Sequence, residues 1–82
     1  MSLSLLDIKR LAVGIAGEEN PALHVVAALN GEGTATYAEV VLTRDDVASS
    51  QQLVIGVTRQ ASESEVSGLL RDRLRERLRK SD

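Results

Sequence analysis

His24, Tyr37 and Glu39 are the residues of this chain whose types and placement could combine in acid–base chemistry. They fall in two alternating segments, Ala22 to Asn30 and Thr34 to Thr43, joined by Asn30-Gly31-Glu32-Gly33. Asn-Gly between alternating apolar runs is a strong short-range hairpin signal. A two-residue Asn30-Gly31 turn pairs Leu29 with Glu32 and sets His24 opposite Tyr37. A four-residue loop, Asn30 to Gly33, pairs Leu29 with Thr34 and sets His24 opposite Glu39. Either contact could tune an imidazole for general acid–base work. Catalysis also needs a pocket and a group that stabilises developing charge, and a flat sheet face supplies neither. A polar cross-strand pair accounts for the same residues. The sequence therefore names no catalytic residue, and a non-enzymatic role is the stronger expectation.

Other chemistry is no better supported. Asp45 and Asp46, with Glu39 near in sequence, could be imagined around a divalent cation, but no EF-hand spacing is present. Adjacent acids in a turn are common because Asp bonds its own backbone there. Asn30-Gly31-Glu32-Gly33-Thr34 lacks the G-x-G-x-x-G pattern and leads into a strand, so no helix N-terminus is available for phosphate. There is no cysteine, which removes disulfides and thiolate–metal sites. No metal site and no cofactor is expected.

Charge is unevenly placed. The chain has a net charge of −2, yet Arg71 to Lys80 holds six basic and two acidic residues. On a helix, Arg71, Arg75 and Arg79 form a stripe roughly opposite the leucines, able to meet phosphates or acidic partners. Asp72 and Glu76 could instead neutralise Arg75, Arg79 and Lys80 at helical spacing, and cations near a helix C-terminus are favourable in themselves. Arg73 and Arg77 fall within the leucine stripe. They overhang the sheet, cover apolar surface with their stems, or meet a second chain.

These residues need a scaffold, and 82 residues make one domain. Such a chain buries only about 60% of its unfolded surface, so association would help it. With one Tyr and no Phe or Trp, the core must be aliphatic. No apolar run is long enough to span a membrane and no signal peptide is visible, so a cytoplasmic location is expected. Leu5, Ile8, Leu11, Ala12 and Ile15 recur at helical spacing and predict a helix over 4–16, begun by Ser4 and ended by Gly17 in the left-handed conformation. Gly14 would allow that helix close to the sheet. Strands are expected at 22–30, 34–43 and 52–59. Ser62 with Glu65 reads as a capping box opening a helix over 63–79, with Val66, Leu69, Leu70, Leu74 and Leu78 as its apolar stripe.

The fold expected is a two-layer α+β domain of order α-β-β-β-α: a three-stranded antiparallel meander with two helices on one face. Both loop lengths put Leu23, Val25, Ala27 and Leu29 beside Thr36, Ala38, Val40 and Leu42 on the covered face. The other face would carry His24, Val26, Ala28, Ala35, Tyr37, Val41 and Val54, together with Glu39 and Thr58. That is more apolar than a solvated face requires, and such a patch often marks an interface. The element order is similar to that of the double-stranded-RNA-binding domain family. That family places a Lys-rich cluster at the start of its second helix, where this chain has Ser62-Glu63-Ser64-Glu65, so the likeness ends at topology. The expectation is a small protein-interaction module that forms a homodimer through the open sheet face or an edge. A nucleic-acid-associated regulator using Arg71, Arg75 and Arg79 is the alternative, and a small enzyme built on His24 the third.

Overall fold

The computed structural model describes residues 3–31, 36–45 and 51–81. It has the expected order: α1 Leu5–Glu19, β1 Leu23–Asn30, β2 Tyr37–Arg44, β3 Gln51–Thr58 and α2 Glu63–Ser81. The strands form one antiparallel sheet in the order β1-β2-β3, with both helices on one face.

Each helix begins as its sequence requires. The Ser4 hydroxyl accepts the Asp7 N–H at 3.1 Å, and the Asp7 carboxylate accepts the Ser4 N–H at 3.3 Å. Ser62 accepts the Glu65 N–H at 3.2 Å, satisfying an amide that the first turn leaves without a helical partner. The end of α1 differs from expectation. The helix runs through Gly17 to Glu19, and Asn20 closes it in an extended conformation. Pro21 explains this, because the residue before a proline is pushed out of the helical region. The Asn20 N–H still reaches the Ala16 carbonyl at 2.9 Å, while its side chain accepts the Ala22 N–H at 2.9 Å. Gly14 does not approach the sheet: it is exposed, and a Cβ there would meet nothing within 4 Å.

The core is aliphatic. Ile8, Ala12, Ile15 and Ala16 of α1 and Val66, Leu70 and Leu74 of α2 pack on Leu23, Ala38, Val40, Leu42, Leu53, Ile55 and Val57. The void between the layers, lined by Val40, Leu42, Leu70 and Leu74 among others, is about 10 Å³. A small-molecule pocket is on the order of 300 Å³ or more, so this void is too small to be one.

The hairpin register corrects both expected loops. The ladder pairs Leu23 with Arg44, His24 with Thr43 and Val25 with Leu42, then skips Val26 and resumes with Ala27 opposite Val41. Ala28 then faces Val40, Leu29 faces Glu39 and Asn30 faces Ala38. The connection therefore runs from Gly31 to Tyr37, and the Gly31 N–H donates to the Tyr37 carbonyl at 2.6 Å. Thr34 and Ala35, expected in β2, lie outside the described residues. The extra residue reverses the parity of the rest of β1. Ala28, expected outside, shares a register position with buried Val40, and Leu29, expected inside, is exposed.

Leu74 is buried against both layers. Leu74→Ala is expected to destabilise the fold by about 2–5 kcal/mol, because the cavity adds to the lost transfer energy. Leu6→Ala, at an exposed position of α1, should change stability by no more than about 0.5 kcal/mol. Urea denaturation of the two variants reads the difference.

Candidate functional site

The sheet face away from the helices is open. The ladder sets its side chains in four rows: His24, Thr43 and Gln52; Ala27, Val41 and Val54; Leu29, Glu39 and Gly56; Tyr37 and Thr58. Val26, the bulged residue, is 51% exposed, Leu29 52%, Val54 43% and Tyr37 38%. Val41 is half-buried between its neighbours. Small β-branched side chains give the middle of this face low relief.

Tyr37 adds to that flatness by lying across β3. A Cβ at Gly56 would stand 2.5 Å from its Cε1 and 2.8 Å from its hydroxyl, and one at Gly31 would stand 3.0 Å from its Cβ. Glycine at both positions leaves room for the ring. Arg73 meets the other end. Its guanidinium donates to the Tyr37 hydroxyl at 3.1 Å and to the Gly56 carbonyl. The Arg59 N–H donates to the Thr36 carbonyl at 2.9 Å, and bonded pairs alternate along an antiparallel ladder, so the Gly56 carbonyl points away from β2 to the free edge. Arg73 thus reaches from the helical layer past the edge of β3. This resolves its odd place in the leucine stripe.

Both sheet edges are encumbered as a result. On β3, Arg73 takes the Gly56 carbonyl. Beyond the end of that strand, Leu3 donates to the Arg59 carbonyl and accepts from the Arg59 side chain, both at 2.8 Å. Arg59 also donates to the Asn30 side chain at 2.8 Å. On β1 the bulge at Val26 interrupts the edge. Bulges and edge-capping charges are devices that discourage strand addition.

The His24, Tyr37 and Glu39 constellation is not assembled. His24 sits opposite Thr43, and its Nε2 lies 2.8 Å from the Asp45 carboxylate. Glu39 stands two ladder positions from Val41 toward the opposite end of the face, and Tyr37 two positions beyond. His24 and Asp45 are both well exposed, without the enclosure a catalytic pair needs. Among the described residues, no three carboxylate or imidazole side chains gather as a metal ion would require. Asp46 lies outside the described residues.

The arginine stripe is mostly engaged within the chain. Arg75 Nε lies 2.8 Å from a Glu19 carboxylate oxygen, and Arg71 lies 3.2 Å from Glu18 and 3.8 Å from Glu19. These pairs join α2 to the last turn of α1, which exists because that helix passes through Gly17. Intrahelical neutralisation of the expected kind joins Lys80 and Glu76 at 3.3 Å. Arg79 is exposed and lines a broad open hollow with Glu76 and Lys80.

No protein-family model, curated protein or solved structure matches the chain. What the surface can do follows from its own geometry. The signal for the Tyr37 arrangement was present in the sequence as a glycine inside a strand and a single aromatic residue, but only the register joins them.

Gly56→Ala is expected to destabilise the domain by about 1–3 kcal/mol, since the ring must leave its seat. The same change in a Tyr37→Ala background should cost far less. A double-mutant cycle by chemical denaturation measures the coupling; equal costs in both backgrounds would show that the ring is not what the Cβ meets.

Proposed function

We propose that this protein is a non-enzymatic interaction module that acts as a homodimer through the open face of its sheet. The observation that carries the reading is the exposure of Leu29, Tyr37 and Val54, with the bulged Val26 also exposed, on a face that no described element covers. Exposed apolar area in one contiguous patch costs solubility and is characteristic of contact surfaces. A two-fold contact uses the same patch twice and so needs no second specialised surface. It also supplies the burial that a domain of this size lacks.

The face is a better candidate than either edge, because Arg73 and the Val26 bulge obstruct strand addition. The arginine stripe supports the nucleic-acid reading less well than its sequence promised. Arg71 and Arg75 are held by Glu18 and Glu19, and a charge already paired releases fewer counterions on meeting a phosphate. No helix among the described residues is long and apolar enough to cross a membrane.

Light scattering across a concentration series tests the proposal. The parent should show a salt-resistant but weak monomer–dimer equilibrium, with a dissociation constant of roughly tens of micromolar or more, as expected for a face smaller than a standard interface. Val26→Glu and Val54→Glu should each weaken it by about tenfold or more, because a carboxylate would be desolvated. A parent that stays monomeric at millimolar concentration overturns the dimer. A dimer indifferent to both changes overturns the face. Duplex binding that is lost when Arg71, Arg75 and Arg79 become Ser would favour the nucleic-acid alternative.

A further inference from the structure

We infer, on the footing of that reading, that two copies pack outer sheet to outer sheet about a two-fold axis running across the strands through the row Ala27, Val41 and Val54. The occupant of the face is thus a second copy of the chain, in one orientation.

Shape and area favour a sheet as the occupant. Each strand has eight residues, so the face is about 26 Å long and about 14 Å wide, roughly 370 Å² in projection. A standard interface buries about 800 Å² on each partner. The area is scarce enough that a good occupant must cover all of it. A single helix is about 10 Å across with its side chains and would leave one strand bare. A second flat sheet covers the three strands together, and Tyr37 lying across Gly56 keeps a tall side chain out of the way. Sheets pack either aligned, with strands within about 30° of each other, or nearly orthogonal, and only aligned packing lets two such long, narrow faces cover each other fully.

Charge decides between the two possible axes. An axis parallel to the strands would set every β2 residue against its own mate. Glu39 would face Glu39 of the second copy and Asp45 would face Asp45 of the second copy, with β1 over β3. Like charges placed directly opposite are destabilising, more so when desolvated. An axis across the strands keeps each strand over its own mate and reverses its direction. With the axis on the valine row, Val41 meets Val41 and Val54 meets Val54. Glu39 then faces Thr43 of the second copy, with His24 of the second copy beside it. Asp45 faces the end that carries Tyr37, the end toward which Arg73 reaches. The apolar row is buried at the centre, Glu39 inside the face gains polar neighbours, and Asp45 meets the Arg73 end at the rim, an arrangement of complementary charge that specific interfaces adopt.

The chain has no cysteine of its own, so introduced thiols report the axis directly. Val54→Cys is mild in volume and lies on the proposed axis; Thr58→Cys lies on the same strand away from it; Ser64→Cys on α2 reports random collision. Facing sheets lie about 10 Å apart, beyond the Cα separation a disulfide tolerates, so the thiols are joined with a short bismaleimide rather than by oxidation. At a concentration where light scattering shows dimer, Val54→Cys should form a covalent dimer at least about tenfold faster than either control, since a thiol held opposite its mate has a far higher effective concentration. A mixture of Ala27→Cys and Val54→Cys proteins should give homodimers of each rather than the mixed species, because both positions lie on the axis. Preferential mixed cross-linking identifies the axis parallel to the strands and overturns the inference while leaving the face as the interface. A dimer in which Val54→Cys reacts no faster than Ser64→Cys overturns both the axis and the face. A parent that is monomeric throughout overturns the homodimer itself.

Discussion

Two helices can cover one side of a three-stranded sheet, and the described residues form only two. The constraint follows from length. An amphipathic helix buries one stripe, and the stripes here, Ile8 to Ala16 and Val66 to Leu74, are both spent on the face holding Val40, Leu42, Ile55 and Val57. An aliphatic core without Phe or Trp offers less burial per residue than an aromatic one, so neither helix can be diverted elsewhere. The sheet must therefore present its other face outward. What the chain does at that face, flattening it with Tyr37 and leaving valines and Leu29 in the open, is the feature that a functional account has to address.

The bulge at Val26 is the device that sets which side chains reach that face. It shows how far sequence carries the argument. Element order, the inner faces of β2 and β3 and both helix starts were legible, because each rests on a local pattern: strict alternation in Ala38 to Leu42 and Leu53 to Val57, and Ser-x-x-acid at each start. The register of β1 was not. From Val25 to Leu29 every residue is apolar, so alternation carries no parity and an extra residue leaves no mark. Ala27, Ala28 and Leu29 were consequently placed on the wrong faces. The hairpin was misread for a related reason: Asn-Gly is a strong turn signal in isolation, but a bulged partner strand shifts the pairing frame, and the connection lengthens to suit.

The arginines show a second kind of illegibility. Arg71 and Arg75 form a stripe in sequence, and their charges were weighed against acids on the same helix. The partners lie instead on α1, one and two residues beyond Gly17, where the helix was expected to end. Gly17 was a reasonable stop by composition. Pro21 is the stronger one, because it acts by steric exclusion rather than by preference. Moving the helix end by three residues brings Glu18 and Glu19 onto α2 and turns an apparent binding stripe into a fastening between helices. Such exposed pairs contribute little stability, typically under about 1 kcal/mol each. Their larger effect is on the field, since an arginine beside a glutamate offers a distant phosphate almost no net attraction.

Arg73 belongs to neither case, and it connects the sheet's edge to its face. Its stem starts in the helical layer, its guanidinium takes an edge carbonyl, and the same group holds the Tyr37 hydroxyl on the far side. One side chain thereby closes a site for strand addition and fixes the ring that keeps the open face level. An open edge would give any extended chain a way to add to the sheet with little demand on side chains. A level face is more selective, because burial there requires a surface of matching relief and matching charge. Glu39 sharpens that demand, since a carboxylate in the middle strand excludes partners that would bury it without a polar neighbour. On the proposed reading, blocked edges and a flat apolar face with a single internal charge would direct association toward one kind of contact, sheet on sheet, in a register that gives Glu39 a polar neighbour.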